Sequence, residues 1–266
     1  MTKRVILWTT PRSLSSVFYR SISTLSNSKC WFELFCGPYY FGPYPDRQCS
    51  NFDPNFVPDG LECEPTYAAV KALLLKEYPG VDLVFSKEMA YCLPEPLHKE
   101  ILDTDIIHTF LIREPERAVY SRYKVIESAN NYLGYVHLDT HETLRSYRDL
   151  LKLYNLAKEH LGRPPVVINA ADLQAYPNEV MKKYCNTVGI QYEPHMTTWE
   201  PCPTPGLHVW AEYHKMLKAS SGFIQIKPEE QKPVPLDRLP KEVVQCIDEC
   251  RASYEAMLGA CIKPYS

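Results

Sequence analysis

Residues 4–16 read Arg4-Val5-Ile6-Leu7-Trp8-Thr9-Thr10-Pro11-Arg12-Ser13-Leu14-Ser15-Ser16. The apolar run Val5–Trp8 predicts a short buried strand over 4–10, which Pro11 ends. Ser13 or Ser15 then caps a helix reaching to about Leu25, with Val17, Phe18 and Ile22 as its apolar face. A strand that turns directly into a helix leaves unpaired backbone N–H groups at the helix start, where an anion is favoured. Arg12 adds a multi-donor cation, and Ser13, Ser15 and Ser16 add hydroxyls. Taken alone, the segment reads equally well as a serine cap beside a surface arginine.

Working outward, the same alternation continues. Strands are expected at Trp31–Phe35, Val81–Phe85, Ile106–Ile112 and Val166–Asn169. Helices are expected at 64–77, 95–102, from Pro115 through Arg122 and Val125, at 140–160 before Gly162, and at 177–188 before Gly189. Two more follow, at 209–219 and 240–261. Short apolar strands alternating with helices predict an α/β fold with a central, mainly parallel sheet. The expected organisation is one domain over 1–266, with C-terminal helices in 200–266 wrapped over the sheet. Segment 36–61, rich in proline and aromatic residues, reads as a lid or acceptor loop.

Composition narrows the function classes. The chain has 266 residues, 45% of them hydrophobic, enough for a sizeable core. Its net charge of -3 argues against a global nucleic-acid-binding field. No stretch approaches the ~20 apolar residues of a membrane span, and Val5–Trp8 is too short for a signal-peptide core. The expectation is a soluble, cytoplasmic protein without nucleic-acid partner or stable membrane insertion. The ten cysteines form no CxxC pair; Cys246 and Cys250 lie one helical turn apart, but no second pair or His cluster completes a zinc site. Free thiols and no metal are expected. His108, inside the strand Ile106–Ile112, reads as a core residue.

The second informative segment is Phe110-Leu111-Ile112-Arg113-Glu114-Pro115-Glu116-Arg117-Ala118-Val119-Tyr120-Ser121-Arg122-Tyr123. Arg113 falls just past a buried strand, at the carboxyl edge where open α/β sheets bind ligands. Ser121 follows eight residues later in the next helix. The plain alternative is an arginine paired with Glu114 or Glu116. A GxxxxGK[ST] loop and a glycine-rich dinucleotide loop are both absent, which counts against a Walker-type ATPase and a Rossmann oxidoreductase.

Together the two segments resemble the sulfotransferase superfamily that uses 3'-phosphoadenosine 5'-phosphosulfate (PAPS), and most closely a divergent branch of it. The resemblance extends from residue 4 to the ending Trp210-Ala211-Glu212 and Ser220-Ser221-Gly222-Phe223. It implies a three-layer P-loop fold. It also implies that Pro11, Arg12, Ser13, Leu14, Ser15 and Ser16 hold the 5'-phosphosulfate, with Arg113 and Ser121 on the 3'-phosphate. Leu14 departs from the family, which mostly has glycine there; a Cβ at that point crowds the phosphate or demands a different backbone path. Lys87 matches a family lysine. The family's catalytic histidine is missing, and Glu88 takes its place if burial raises its pKa, with Glu33 as rival. For each carboxylate the plain alternative is a salt bridge to Lys87 or Arg12. Lys218, Ser220 and Gly222 are the nearest match to a late basic loop that completes the nucleotide site.

The resulting expectation is sulfuryl transfer from PAPS, as co-substrate, to a hydroxyl or amine of a small acceptor. Tyr39, Tyr40, Phe41, Tyr44, Phe52 and Tyr91 are candidates for its aromatic wall, or for a lid plug or dimer surface; a homodimer stays open. The alternatives are a P-loop phosphotransferase using ATP and Mg²⁺, and a non-catalytic nucleotide-binding or interaction protein. No pyridoxal-lysine motif is evident.

Overall fold

The computed structural model describes residues 2–43, 59–133, 138–201, 217 and 219–265, with backbone alone for 129–133. Five strands form one all-parallel sheet: β1 (Lys3–Thr9), β2 (Ser28–Phe32), β3 (Leu83–Met89), β4 (Ile107–Ile112) and β5 (Val166–Asn169). Their order is β2-β3-β1-β4-β5. The chain builds outward from β1 to one edge and back, then crosses to the other side. The carboxyl ends of β1 and β4 therefore frame the crevice where such sheets take ligands.

Helices cover both faces, giving the expected three layers. Strand alternation assigns the faces. Val5 and Leu7 of β1, with Leu83, Phe85, Leu111 and Ile168, pack against α1 (Ser15–Ile22) and against α7 (Ala170–Ala175) and α8 (Pro177–Val188). Ile6 and Trp8, with Val84, Phe110, Ile112 and Val167, pack against α3 (Tyr67–Leu75), α4 (Glu95–Leu102) and α6 (Thr140–Leu161). Each such side chain, fully buried, contributes about 1.5–3 kcal/mol. The last helix, α9 (Lys241–Leu258), lies on α6 and on α5 (Pro115–Leu133) through Val243, Cys246, Ile247 and Cys250. Its tail reaches the sheet itself, where the Ile262 amide donates to the Val167 carbonyl at 2.9 Å.

Local signals set several boundaries as expected. Pro177 opens α8 and Gly189, at φ 70, closes it. The Trp8 indole donates to His108 Nδ1 at 2.9 Å, and burial lowers the His108 pKa to about 4, so this ring is a neutral core group.

Several boundaries differ from the sequence reading, most by a few residues at helix ends, and these differences have identifiable causes. β2 ends at Phe32 rather than Phe35, because the Leu34 and Phe35 amides turn away to a side-chain acceptor. β3 continues through Lys87 and Glu88, because both charges find partners inside the fold. Cys36–Phe41 forms a short helix, α2, inside the expected loop; 44–58 lie outside the described residues. An additional helix, α7, follows β5 directly, capped by Asn169 Oδ1 accepting from the Ala171 amide at 3.1 Å. Most of the helix expected over 209–219 also lies outside the described residues.

Candidate functional site

The loop between β1 and α1 is built around two left-handed residues. Arg12 has φ 63 and Leu14 has φ 68. Leu14 thus adopts a left-handed backbone of the kind glycine favours, at a cost of about 1–2 kcal/mol for a side-chain-bearing residue. Such turns point backbone N–H groups at a common concavity. α1 then starts at Ser15 with no side-chain cap and no acidic residue in its first turn. Its first amides thus have no intrahelical acceptor, and the helix dipole favours an anion. Ser13 is fully buried and serves the loop: its hydroxyl donates to the Thr10 carbonyl at 2.8 Å and contacts Thr9 Oγ1. Ser15 is buried at the helix start; Pro11, Arg12, Leu14 and Ser16 are half-buried.

The second segment arrives at the same place. The Arg12 Nε donates to Ser121 Oγ at 3.2 Å, and Arg113 Nη1 donates to the Arg12 carbonyl at 2.7 Å. These contacts join residues 109 and 101 positions apart in sequence. Tyr147 of α6 donates its hydroxyl to the Arg113 carbonyl at 3.1 Å, which fixes the exit from β4. Burial lowers the pKa of both arginines, and a guanidinium stays charged under such shifts. Among the described residues neither Arg12 nor Arg113 has a carboxylate at ion-pair distance. Two half-buried cations beside a helix N-terminus, with no carboxylate at ion-pair distance among the described residues and only a longer-range pull of Glu114 on Arg113, fit a multiply charged anion such as a nucleotide phosphate.

At the neighbouring ends of β2 and β3 the two carboxylates differ sharply. Lys87 is fully buried and pairs with Glu33 through Nζ and Oε1. Glu33, at φ 56, keeps 8% exposure and borders a cleft lined by Phe32, Leu34, Pro38, Leu61, Glu62 and Glu64. Glu88 has no exposure at all. Its Oε1 accepts from the Leu34 amide at 3.0 Å and its Oε2 from the Phe35 amide at 3.1 Å, while Ser86 donates to Oε1. Burial raises its pKa to about 7 against these bonds. The raised pKa thus matches the expectation for Glu88, but its oxygens are committed to the backbone and closed to an acceptor. Glu33 is the carboxylate that reaches a cleft.

The expected aromatic wall is a packed cluster. Tyr39, Phe41 and Tyr91 are buried; Tyr39 lies edge-on to both Tyr40 and Tyr91. The Tyr40 and Tyr91 hydroxyls bond each other at 2.9 Å. Three charged residues not singled out in the sequence complete the cluster. Arg145 donates to the Tyr39 hydroxyl and stacks on its ring, Glu142 accepts from Tyr40, and Arg122, next to Ser121, pairs with Glu142. The i, i+3 spacing of Glu142 and Arg145 on α6 was the available signal. Ser220 and Gly222 contact the segment after α8: Trp199 Nε1 donates to the Ser220 carbonyl and hydroxyl, and Gly222 bridges Thr198. No described contact joins them to Arg113 or Ser121. Tyr44, Phe52, Lys218 and Trp210–Glu212 lie outside the described residues. Also among the described residues, no cluster of three or more His, Cys, Asp or Glu is arranged for a metal, and no helix is long and apolar enough to cross a membrane.

Comparisons with known proteins bear on the fold. The family profile of a sulfotransferase domain matches residues 149–245. The sulfotransferase domain of the Synechococcus PCC 7002 olefin synthase superposes with a TM-score of 0.58 at 16% identity, covering 93% of this chain and 95% of that one. A sulfotransferase from Alicyclobacillus acidocaldarius superposes at 0.56 and 14% identity, covering 97% and 96%. The chain shares the fold of these sulfotransferases. A curated relative, branched-chain-amino-acid aminotransferase-like protein 2 of Arabidopsis thaliana, is 26% identical over 230 residues, 81% of this chain and 35% of that protein. Aminotransferase-like protein 1 of the same plant is 30% identical over 117 residues, 44% of this chain and 19% of that protein. The chain thus spans about a third or less of the curated relatives it matches.

Proposed function

We propose that this chain is a PAPS-dependent sulfotransferase acting on a hydroxyl or amine of a small acceptor. The observation that carries the reading is a chain of contacts at the carboxyl edge of the sheet: Arg12 donates to the Ser121 hydroxyl, Arg113 donates to the Arg12 carbonyl, and among the described residues neither arginine has a carboxylate at ion-pair distance. In this reading, Arg12 and the amides of Leu14, Ser15 and Ser16 hold the 5'-phosphosulfate, and Arg113 with Ser121 holds the 3'-phosphate. PAPS supplies an activated sulfuryl group, and no metal takes part.

The protein's tasks are positioning, charge neutralisation and proton removal. Arg12 neutralises charge developing on the leaving phosphate. Glu33, at the mouth of its cleft, takes the proton of the acceptor O–H or N–H as the new bond to sulfur forms. Lys87 holds the Glu33 carboxylate in place and neutralises it between turnovers. Phe32, Leu34, Pro38 and Leu61 give the cleft an apolar side, suited to an acceptor with an apolar body. A soluble, cytoplasmic protein folding as one unit over 1–266 accords with this role.

The test incubates the protein with PAPS and a panel of phenols, alcohols and amines. Mass spectrometry reads both 3'-phosphoadenosine 5'-phosphate (PAP) and the sulfated product. Acceptor-dependent formation of both is expected. Glu33→Gln should lower the rate by about 100-fold or more, the usual contribution of a positioned base. PAP formation that no acceptor changes, with no sulfated product, contradicts the proposal.

A further inference from the structure

Glu33 is a strained residue gripped by two consecutive residues of β3. Its backbone is left-handed at φ 56, a conformation that costs a side-chain-bearing residue about 1–2 kcal/mol. Its amide donates to the Lys87 carbonyl at 2.8 Å, and its carboxylate pairs with the Lys87 ammonium. Neighbouring side chains on a strand point to opposite faces, so Glu88 reaches the turn from the other side. It takes the amides of the next two residues, Leu34 and Phe35, one on each oxygen. Both bonds are fully enclosed and, in the ionised form of Glu88, charge-assisted, the class of hydrogen bond that fixes geometry most firmly.

We propose that Glu88 is a positioning residue: its carboxylate clamps the Leu34–Phe35 turn and thereby aims the Glu33 carboxylate at Lys87 and the cleft. The inference rests on the reading of Glu33 as proton acceptor but is tested apart from it. No apolar residue can replace the clamp, because the two amides would be buried without acceptors. Glutamine replaces it poorly, since its NH₂ group would face one of the two N–H donors. The groups facing Glu88 are Ser86 on its own strand, Glu33 beyond the turn, Cys36 in α2, Cys92 after β3 and Cys63 before α3.

The experiment reads the Glu33–Lys87 pair without any acceptor. Wild type, Glu88→Gln, Glu33→Gln and Ser86→Ala are treated briefly with acetic anhydride. Acetylation at Lys87 is measured by peptide mass spectrometry against exposed Lys99. Glu33→Gln defines the released state. Glu88→Gln should raise Lys87 acetylation about tenfold or more, the change expected when a charge-assisted bond worth at least ~1.4 kcal/mol no longer holds the turn. PAP affinity should stay at the wild-type level. Ser86→Ala removes a partner of the same carboxylate without touching the turn, so Lys87 should stay protected. Lys87 remaining protected in Glu88→Gln that still binds PAP overturns the proposal, as does equal release in Ser86→Ala. If Glu88→Gln does not fold, hydrogen exchange on wild type decides: Leu34 and Phe35 amides must be strongly protected, and rapid exchange overturns the clamp. Retained turnover by Glu33→Gln would remove the proton-acceptor reading and leave the Lys87 result to judge the clamp on its own.

Discussion

Replacing Glu88 by glutamine should change how stability depends on pH. Burial raises the Glu88 pKa from the ordinary 4.5 to about 7, outweighing the bonds from Ser86, Phe35 and Leu34. A carboxyl with a raised folded-state pKa holds its proton more firmly in the folded protein than in the unfolded chain. Its contribution to stability is therefore fully present below pH 4.5 and is lost as pH rises through about 7. The distance between the two values corresponds to about 3 kcal/mol. Glutamine cannot titrate, so this pH dependence disappears in Glu88→Gln. Urea unfolding of both proteins at pH 4.5, 6 and 8 gives the comparison. The stability of wild type minus variant should fall by about 3 kcal/mol across that range, with m-values unchanged. A difference that stays constant with pH would refute the reasoning, because Glu88 would then titrate at the same pH folded and unfolded.

Two other outcomes follow from the same contacts. Arg113→Met should weaken PAP binding by about 10–100-fold, the loss of one charge-assisted contact, and leave ADP binding nearly unchanged; calorimetry with both nucleotides checks it. Gly222→Ala should lower stability by about 1–3 kcal/mol, because a Cβ there would stand 2.6 Å from the Thr197 carbonyl oxygen; thermal unfolding reads the effect.

What the sequence disclosed follows the range of each interaction. The limits of α4, α8 and β5 were legible because proline, glycine and apolar runs act within a few residues. The pairing of Arg12 with Ser121 was legible only through the resemblance of two separate motifs, since nothing local in either segment points to the other. The ends of β2 and β3 were not legible. Lys87 and Glu88 look like a strand exit until their partners, 53–54 residues away, are known. The same distance hid the division of labour between the carboxylates, because burial and hydrogen bonding decide it and residue type does not. Leu14 marked a departure from the family pattern in the sequence; in the structure it takes the left-handed backbone, at φ 68, that glycine would favour. Ser220 and Gly222 match the family's late loop by residue type, yet their contacts run to Trp199 and Thr198.

The central claim is that Arg12, Arg113 and Ser121 form the site of a 3'-phosphorylated adenosine nucleotide. Calorimetric titration with PAP, with ADP and ATP–Mg²⁺ as paired controls, tests it most directly. PAP should bind in the micromolar range and both controls much more weakly, a gap set by the 3'-phosphate contacts. Tighter binding of ATP–Mg²⁺, or no binding of PAP, would contradict it.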